Sequence, residues 1–198
     1  MKSLLPLLFV LSILISCKNI KEPVALSENH GGILKINMPY FPKSLFPPSI
    51  NDVVSSQIVS QIHAGLVKFG ASNTAIYPSA ARRWKIDSTA QIFTFTLRNN
   101  AFFCDNPCFK EGKGRKIVAE DVKYSFELLC SQNLDNNNFN LVSNIKGAKK
   151  YFEESAKAKP ANGVEGIKVV NDSTLEIFLE KPNPMFLNYL ANPACAIL

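Results

Sequence analysis

The fold of this chain is decided by three short segments that read PSAARRW (residues 78–84), FTFTLR (residues 93–98) and AEDVKYSF (residues 119–126). In the second segment phenylalanine and leucine alternate with threonine, which predicts a strand with one apolar face. The third segment begins with an acidic first turn and continues with apolar residues at helical spacing, which predicts a helix. Together the segments predict a domain that packs a helix against a sheet.

In this order the segments resemble the N-terminal part of the bacterial extracellular solute-binding proteins of family 5, the peptide-binding receptors of ABC importers. The family pattern is a short helix ending at Trp84, a Phe-rich strand closing on Arg98, a loop containing Asp105 and Gly112, and an Ala-Glu-Asp-Val helix. A hairpin and a proline-led helix nearer the C-terminus extend the resemblance, which covers residues 31–198. It implies an α/β fold: a periplasmic-binding-protein-like lobe, with a mixed sheet flanked by helices and the second lobe missing.

The rest of the chain predicts further elements around a proline-rich loop at residues 39–49. In the helix of residues 119–129, Val118 stands where the family has a hydroxyl residue, and Asp121 is expected to take over part of the capping. Trp84 is predicted to pack against the sheet. The other predicted elements are a strand over 33–38, a helix carrying Ile50 to Ile62 and capped by Ser49 or Asn51, a strand over 66–69, a helix over 145–158, a hairpin over 166–179 and a helix from 185 to 190.

The N-terminus is typical of an exported lipoprotein. Residues 1–17 combine a basic start, an apolar run too short to span a membrane, and a Cys17 that follows a small residue. Cleavage before Cys17 and acylation of its sulfur would anchor the chain to the cell envelope, with residues 18–30 as a polar tether. The alternative is a plain signal peptide in which Cys17 is incidental.

Four further cysteines leave their pairing open. In an oxidising compartment Cys104 and Cys108 are close enough in sequence to close a small loop, and Cys108 and Cys130 are a second candidate disulfide. Free buried thiols, Cys195 among them, are the competing interpretation. Neither histidine lies near these cysteines in sequence, and we expect no metal.

Composition and motifs argue against catalysis and against nucleic-acid binding. The net charge of +6 is spread over residues interleaved with acidic ones rather than gathered on a stripe. Neither a Gly-x-Ser-x-Gly elbow nor a His-Glu-x-x-His motif is present, and residues 112–116 lack the spacing of a phosphate-binding loop. We expect no enzyme activity and no cofactor, and we expect His63 to be structural.

The resemblance implies a binding protein that closes two lobes over a peptide and delivers it to the permease subunits of an ABC importer. It places residues 37–41 on the cleft wall, where Asn37, Met38, Tyr40 and Phe41 are the candidate ligand-binding residues. Tyr40 and Phe41 are alternatively hydrophobic plugs of the proline-rich loop. Nickel, haem or opine-like solutes remain alternatives to peptides. A truncated receptor lobe with a structural role and an envelope hydrolase are the competing function classes.

Overall fold

The structure, a computed structural model, describes residue 33 and residues 35–132 and 135–198. It divides into a unit that ends at Asn37 and a unit that runs from Met38 to Leu198, and the elements below belong to the second. The signal peptide, Cys17 and the tether over residues 18–30 lie outside the described residues. Among the residues described, no helix is long and apolar enough to cross a membrane.

The regular elements confirm an α/β domain in which helices flank a sheet. The helices are α1 (Val53–Ile62), α2 (Ala119–Leu129), α3 (Ala148–Ser155) and α4 (Phe186–Leu190). The strands are β1 (Val67–Phe69), β2 (Ile76–Pro78), β3 (Ala81–Ile86), β4 (Ile92–Leu97), β5 (Ile167–Asn171) and β6 (Thr174–Phe178). The main sheet has the order β3-β4-β6-β5, and β1 and β2 form a separate hairpin. Every strand pair in these two sheets is antiparallel, and short turns join β3 to β4 and β5 to β6. Among the described residues the sheets are therefore antiparallel rather than mixed as predicted.

The core lies between the inner strands of the sheet and α2. Phe93, Phe95 and Leu97 of β4 are almost completely buried, as their alternation with threonine predicted. Phe93 and Phe95 pair across the sheet with Ile177 and Leu175 of β6, which are fully buried as well. The predicted hairpin is thereby confirmed, and its second strand completes one apolar face.

Residues 81–86 form a strand, so the predicted helix ending at Trp84 is wrong. Asp87 explains the difference: its Oδ1 accepts the N–H groups of Gln91 and Ile92, both at 2.8 Å, and turns the chain back on itself. The preceding residues therefore pair with β4, with Trp84 opposite Phe95. Trp84 is partly buried against the core, as predicted.

The predicted strand over residues 33–38 is also wrong. Ile33 and the described residues 35–38 have no regular structure, and no strand of the described chain pairs with them. Ile33 and Ile36 are 90% and 65% exposed. A strand requires a neighbour that pairs with its backbone groups, and alternation of apolar residues does not supply one.

Helix bounds follow local capping groups. Helix α2 begins and ends as predicted, and Asp121 Oδ2 accepts the N–H of Val118 at 2.8 Å, which confirms its capping role. Helix α1 begins later than predicted and is capped by Asp52 rather than by Ser49 or Asn51. Helix α3 begins at Ala148 rather than at residue 145, because Gly147 adopts a left-handed conformation (φ 75°) directly before it, and it ends at Ser155 rather than at residue 158.

Candidate functional site

The candidate ligand-binding residues lie on the exposed, irregular segment that precedes α1. Asn37 is exposed and is the last residue of the first unit. In the second unit Met38 is half-buried, while Tyr40 and Phe41 are 47% and 93% exposed. Neither ring is buried as a plug would be, and both interpretations of Tyr40 and Phe41, plug and cleft wall, stay predictions.

The loop after this segment is fastened to the start of α1 by Ser55, a buried hydroxyl residue. Ser55 Oγ accepts the N–H groups of Lys43 at 3.0 Å and Ser44 at 3.3 Å. The same hydroxyl donates to Asp52 Oδ2 at 2.6 Å, and the Ser55 N–H donates to Asp52 Oδ1 at 2.9 Å. These bonds hold the pKa of Asp52 below its ordinary value of 3.8, with the Ser55 hydroxyl as the largest cause. The Ser55 side chain thus bonds both to the N-cap residue of α1 and to the loop before it.

Two asparagines fix the next stretch of the loop, residues 47–50. The side chain of Asn138 donates to the carbonyls of Pro48 at 3.0 Å and Ile50 at 2.7 Å, and Asn137 donates to Ser49 O at 3.2 Å. A cavity of about 420 Å³ opens beside this stretch, with a mostly polar lining. Its lining residues are Lys43, Ser44, Phe46, Ser49, Asn51, Asp135 and Asn137. The exposed segment is therefore followed by a loop of fixed conformation, and the cavity beside that loop is lined by amide and hydroxyl side chains that can form hydrogen bonds.

Replacing Ser55 with alanine is expected to lower the free energy of unfolding by about 1–3 kcal/mol, because the N–H groups of Lys43 and Ser44 lose their acceptor. The pKa of Asp52 should rise toward 3.8. A lowered carboxyl pKa contributes stability that is present above the unfolded value and is lost as the pH falls through the folded one. Below about pH 4 the stability of the variant should therefore fall less steeply with decreasing pH than that of the wild type.

Urea unfolding at several pH values and an NMR titration of the Asp52 carboxyl carbon test this expectation. The matched control is Ser60→Ala, an exposed serine of the same helix whose hydroxyl donates to Gln57 O and accepts only a long bond of 3.5 Å from Gln61 Nε2. Equal stability loss in both variants, or an unchanged Asp52 pKa in Ser55→Ala, would contradict the role assigned to Ser55.

The four cysteines of the described chain are free thiols. Cys104 and Cys108 are exposed, whereas Cys130 and Cys195 are buried. Burial raises the pKa of the Cys130 thiol and raises that of Cys195 to about 12, so both stay protonated and unreactive. The predicted Cys108–Cys130 disulfide is not formed, since one partner lies in the core and the other at the surface. Cys104 and Cys108 are likewise unpaired in this structure, so closure of the 104–108 loop in an oxidising compartment stays a prediction.

The described residues contain no group of three or more His, Cys, Asp or Glu side chains that could hold a metal ion. His63 follows the last residue of α1, and its N–H donates to Val59 O at 2.9 Å. Burial lowers its pKa. The backbone bond and partial burial of His63 agree with a structural histidine.

Sequence reasoning missed the groups that hold the site, although one of them carries a recognisable pattern. Asp52 and Ser55 have the three-residue spacing of an N-cap and its partner, which would have indicated the start of α1. The partners Asn137 and Asn138 lie far along the chain and leave no sequence pattern. Only the folded chain brings them to residues 47–50.

Comparison with known proteins places this fold in a family. Residues 75–198 match the bacterial extracellular solute-binding proteins, family 5 Middle. The chain belongs to this family. It is 29% identical over 164 residues to the dipeptide-binding protein DppE of Bacillus subtilis, covering 82% of this chain and 27% of that protein. It is 31% identical over 133 residues to the dipeptide-binding protein of Escherichia coli, covering 67% of this chain and 23% of that protein.

Solved structures agree with the family assignment. A periplasmic oligopeptide-binding protein of Borrelia burgdorferi superposes with a TM-score of 0.68 and 31% sequence identity, covering 79% of this chain and 29% of the other. This family 5 chain thus spans about a quarter of the length of the curated relatives. Its family match begins after Tyr40 and Phe41, so the ligand-binding role of those two residues stays a prediction.

Proposed function

We propose that this family 5 protein is the substrate-binding component of an ABC importer that takes up peptides. The family match over residues 75–198 carries the proposal, because the members of this family bind solutes outside the cytoplasm. The curated relatives described above are dipeptide-binding proteins, which favours a peptide over nickel, haem or an opine. The partners are then a peptide and the permease subunits of the importer.

The candidate site supports a ligand held largely by its main chain. Tyr40 and Phe41 present rings to solvent beside a loop whose conformation Ser55 and Asn138 maintain. Such rings can flank peptide side chains of varied size, while backbone groups of residues 37–41 bond the ligand in the manner of an added strand. A rigid loop lowers the entropy lost when the ligand is bound.

We further propose that the protein is exported and held at the envelope by an acylated Cys17. The support is the sequence of residues 1–17 and the extracellular nature of the family. One acyl chain binds a membrane only reversibly, so stable anchoring would require more than one acyl chain on Cys17. The anchor would keep the receptor near its permease.

Calorimetry of the complete gene product with di- and tripeptides tests the function. We expect binding, and we expect the double replacement Tyr40→Ala and Phe41→Ala to weaken it about 10-fold, as removal of aromatic contacts commonly does. Tyr77→Ala removes an exposed tyrosine of β2 and is the matched control. A folded product that binds none of these peptides would overturn the proposal.

Labelling of cells with radioactive palmitate tests the anchor. Label that is still incorporated into the Cys17→Ser variant would overturn the proposal that Cys17 carries the acyl group.

A further inference from the structure

A second cavity, of about 410 Å³, lies between α2, α3 and the loop that follows α3. Its volume is in the range of small-molecule sites. None of its lining residues belongs to the candidate peptide site or to the cavity beside residues 47–50. The lining residues are Tyr124, Glu127, Leu128, Ser131, Gln132, Tyr151, Ser155, Lys159 and Pro160.

Aromatic rings and a carboxylate converge on this cavity. Tyr124 and Glu127 are three residues apart on α2 and so lie on the same face of the helix. Tyr151 of α3 is only 5% exposed, and its pKa is raised, first by burial and then by the negative charge of Glu127. The phenol and the carboxylate therefore face the same space.

The Glu127 carboxylate has capacity left for a ligand. Its Oε1 accepts the N–H of Val164 at 3.3 Å, which positions the side chain. Its Oε2 takes no hydrogen bond from the residues that the structure describes, and Glu127 forms no ion pair with them. An ionised carboxylate accepts about four hydrogen bonds in all, so this group can bind an N–H donor from outside.

The protein places one of its own ammonium groups at this cavity. Lys159 Nζ lies 5.8 Å from the centroid of the Tyr124 ring. Lys159 is exposed, belongs to the loop after α3, and has no ion-pair partner among the described residues. A cation over an aromatic face is attracted by the ring's negative quadrupole, and the nearby carboxylate adds to that attraction.

We infer that this cavity binds a small alkylammonium ligand, a primary amine or diamine, which takes the place of the Lys159 side chain. The ligand's ammonium group would lie over Tyr124 and donate to Glu127 Oε2, and its alkyl chain would contact Leu128 and Pro160. Lys159 is the only cation that lines the cavity in the described chain, so its departure leaves a negative and aromatic lining. This lining disfavours anions.

The probe is cadaverine, whose aminopentyl chain resembles a lysine side chain, titrated by calorimetry and NMR into the full 198-residue chain. Lys159→Ala should bind it about 5-fold more tightly, because the competing ammonium is gone. Glu127→Gln should bind it about 10-fold more weakly, since the amide oxygen still accepts from Val164 but carries no charge. Lys157→Ala, an exposed lysine of the same loop that does not line the cavity, should leave the affinity unchanged.

Uncharged 1-pentanol and anionic pentanoate separate the proposed site from other binding. Pentanol binding as tight as that of cadaverine would overturn the inference and indicate an apolar pocket. Pentanoate binding that is lost in Lys159→Ala would overturn it in favour of an anion site. Circular dichroism verifies the fold of each variant. If Glu127→Gln is unfolded, the cadaverine affinity of Lys159→Ala decides the test. An affinity equal to that of the wild type would then overturn the inference.

Discussion

Replacement of Phe93 by alanine is expected to lower the free energy of unfolding by about 3–5 kcal/mol, the usual cost of removing a buried phenyl ring. Phe93 is fully buried in β4, pairs across the sheet with Ile86 and Ile177, and meets the ring of Phe186 edge-on at 5.1 Å between centroids. It therefore joins three strands and α4 at one point. Because domains of this size are typically stable by about 5–15 kcal/mol, the variant should lose a large share of its stability.

Urea denaturation followed by circular dichroism measures this effect. Thr96→Val is the matched control, because Thr96 lies on the other face of the same strand and valine preserves its branched shape. That control should change the stability by about 0.5 kcal/mol or less. A loss below about 1 kcal/mol for Phe93→Ala would contradict the place given to this ring at the centre of the core.

Replacement of Asp121 by alanine is expected to cost about 2–4 kcal/mol, the second largest effect. The Asp121 carboxylate accepts two hydrogen bonds from the Arg115 guanidinium, at 2.7 and 2.5 Å, and a third from the N–H of Val118 at 2.8 Å. Arg115 also lies 5.0 Å from the centroid of Phe103, and the Asp121 side chain raises the pKa of Arg115. Alanine would leave the N-terminus of α2 without its cap and the Arg115 guanidinium without its carboxylate partner.

Glu120→Gln is the control for this prediction, because Glu120 and Asp121 are the two acidic residues in the first turn of α2. The Glu120 side chain is 64% exposed, and its Oε2 lies 3.7 Å from Lys123 Nζ. An exposed pair of this kind contributes little, so its removal should cost about 0.5 kcal/mol or less. Thermal unfolding of both variants distinguishes the specific contacts of Asp121 from the general effect of negative charge at a helix N-terminus. Equal losses would show that the helix dipole alone explains the pair.

Elements whose residues carry a complete local pattern could be predicted. The alternation of Phe93, Phe95 and Leu97 identified β4 and its buried face, and the apolar stripe of residues 118–129 identified α2. The hairpin of β5 and β6 followed from alternation on both sides of a short turn. In each case burial on one face repeats with the period of the element, so the pattern is present in the sequence itself.

Elements that depend on a distant partner could not be predicted. Residues 33–38 have the alternation of a strand but pair with no strand in the described chain, whereas residues 81–86 pair with β4 because Asp87 turns the chain back. The Asn138 side chain donates to the carbonyls of Pro48 and Ile50, which lie 90 and 88 residues away in the sequence. Local preference is weaker than the hydrogen bonds and packing that the tertiary structure adds.

The sequence by itself determined the family, the apolar faces of the central strands and helix, and the export segment that we predict for residues 1–17. Only the tertiary structure decided which candidate residues are exposed, how Ser55 and Asn138 hold the loop beside them, and that Tyr124, Glu127, Tyr151 and Lys159 share a cavity. The physical reason is the sequence distance between the interacting groups. Periodicity and capping depend on residues within a few positions of each other, whereas a binding site is assembled from groups far apart in the chain.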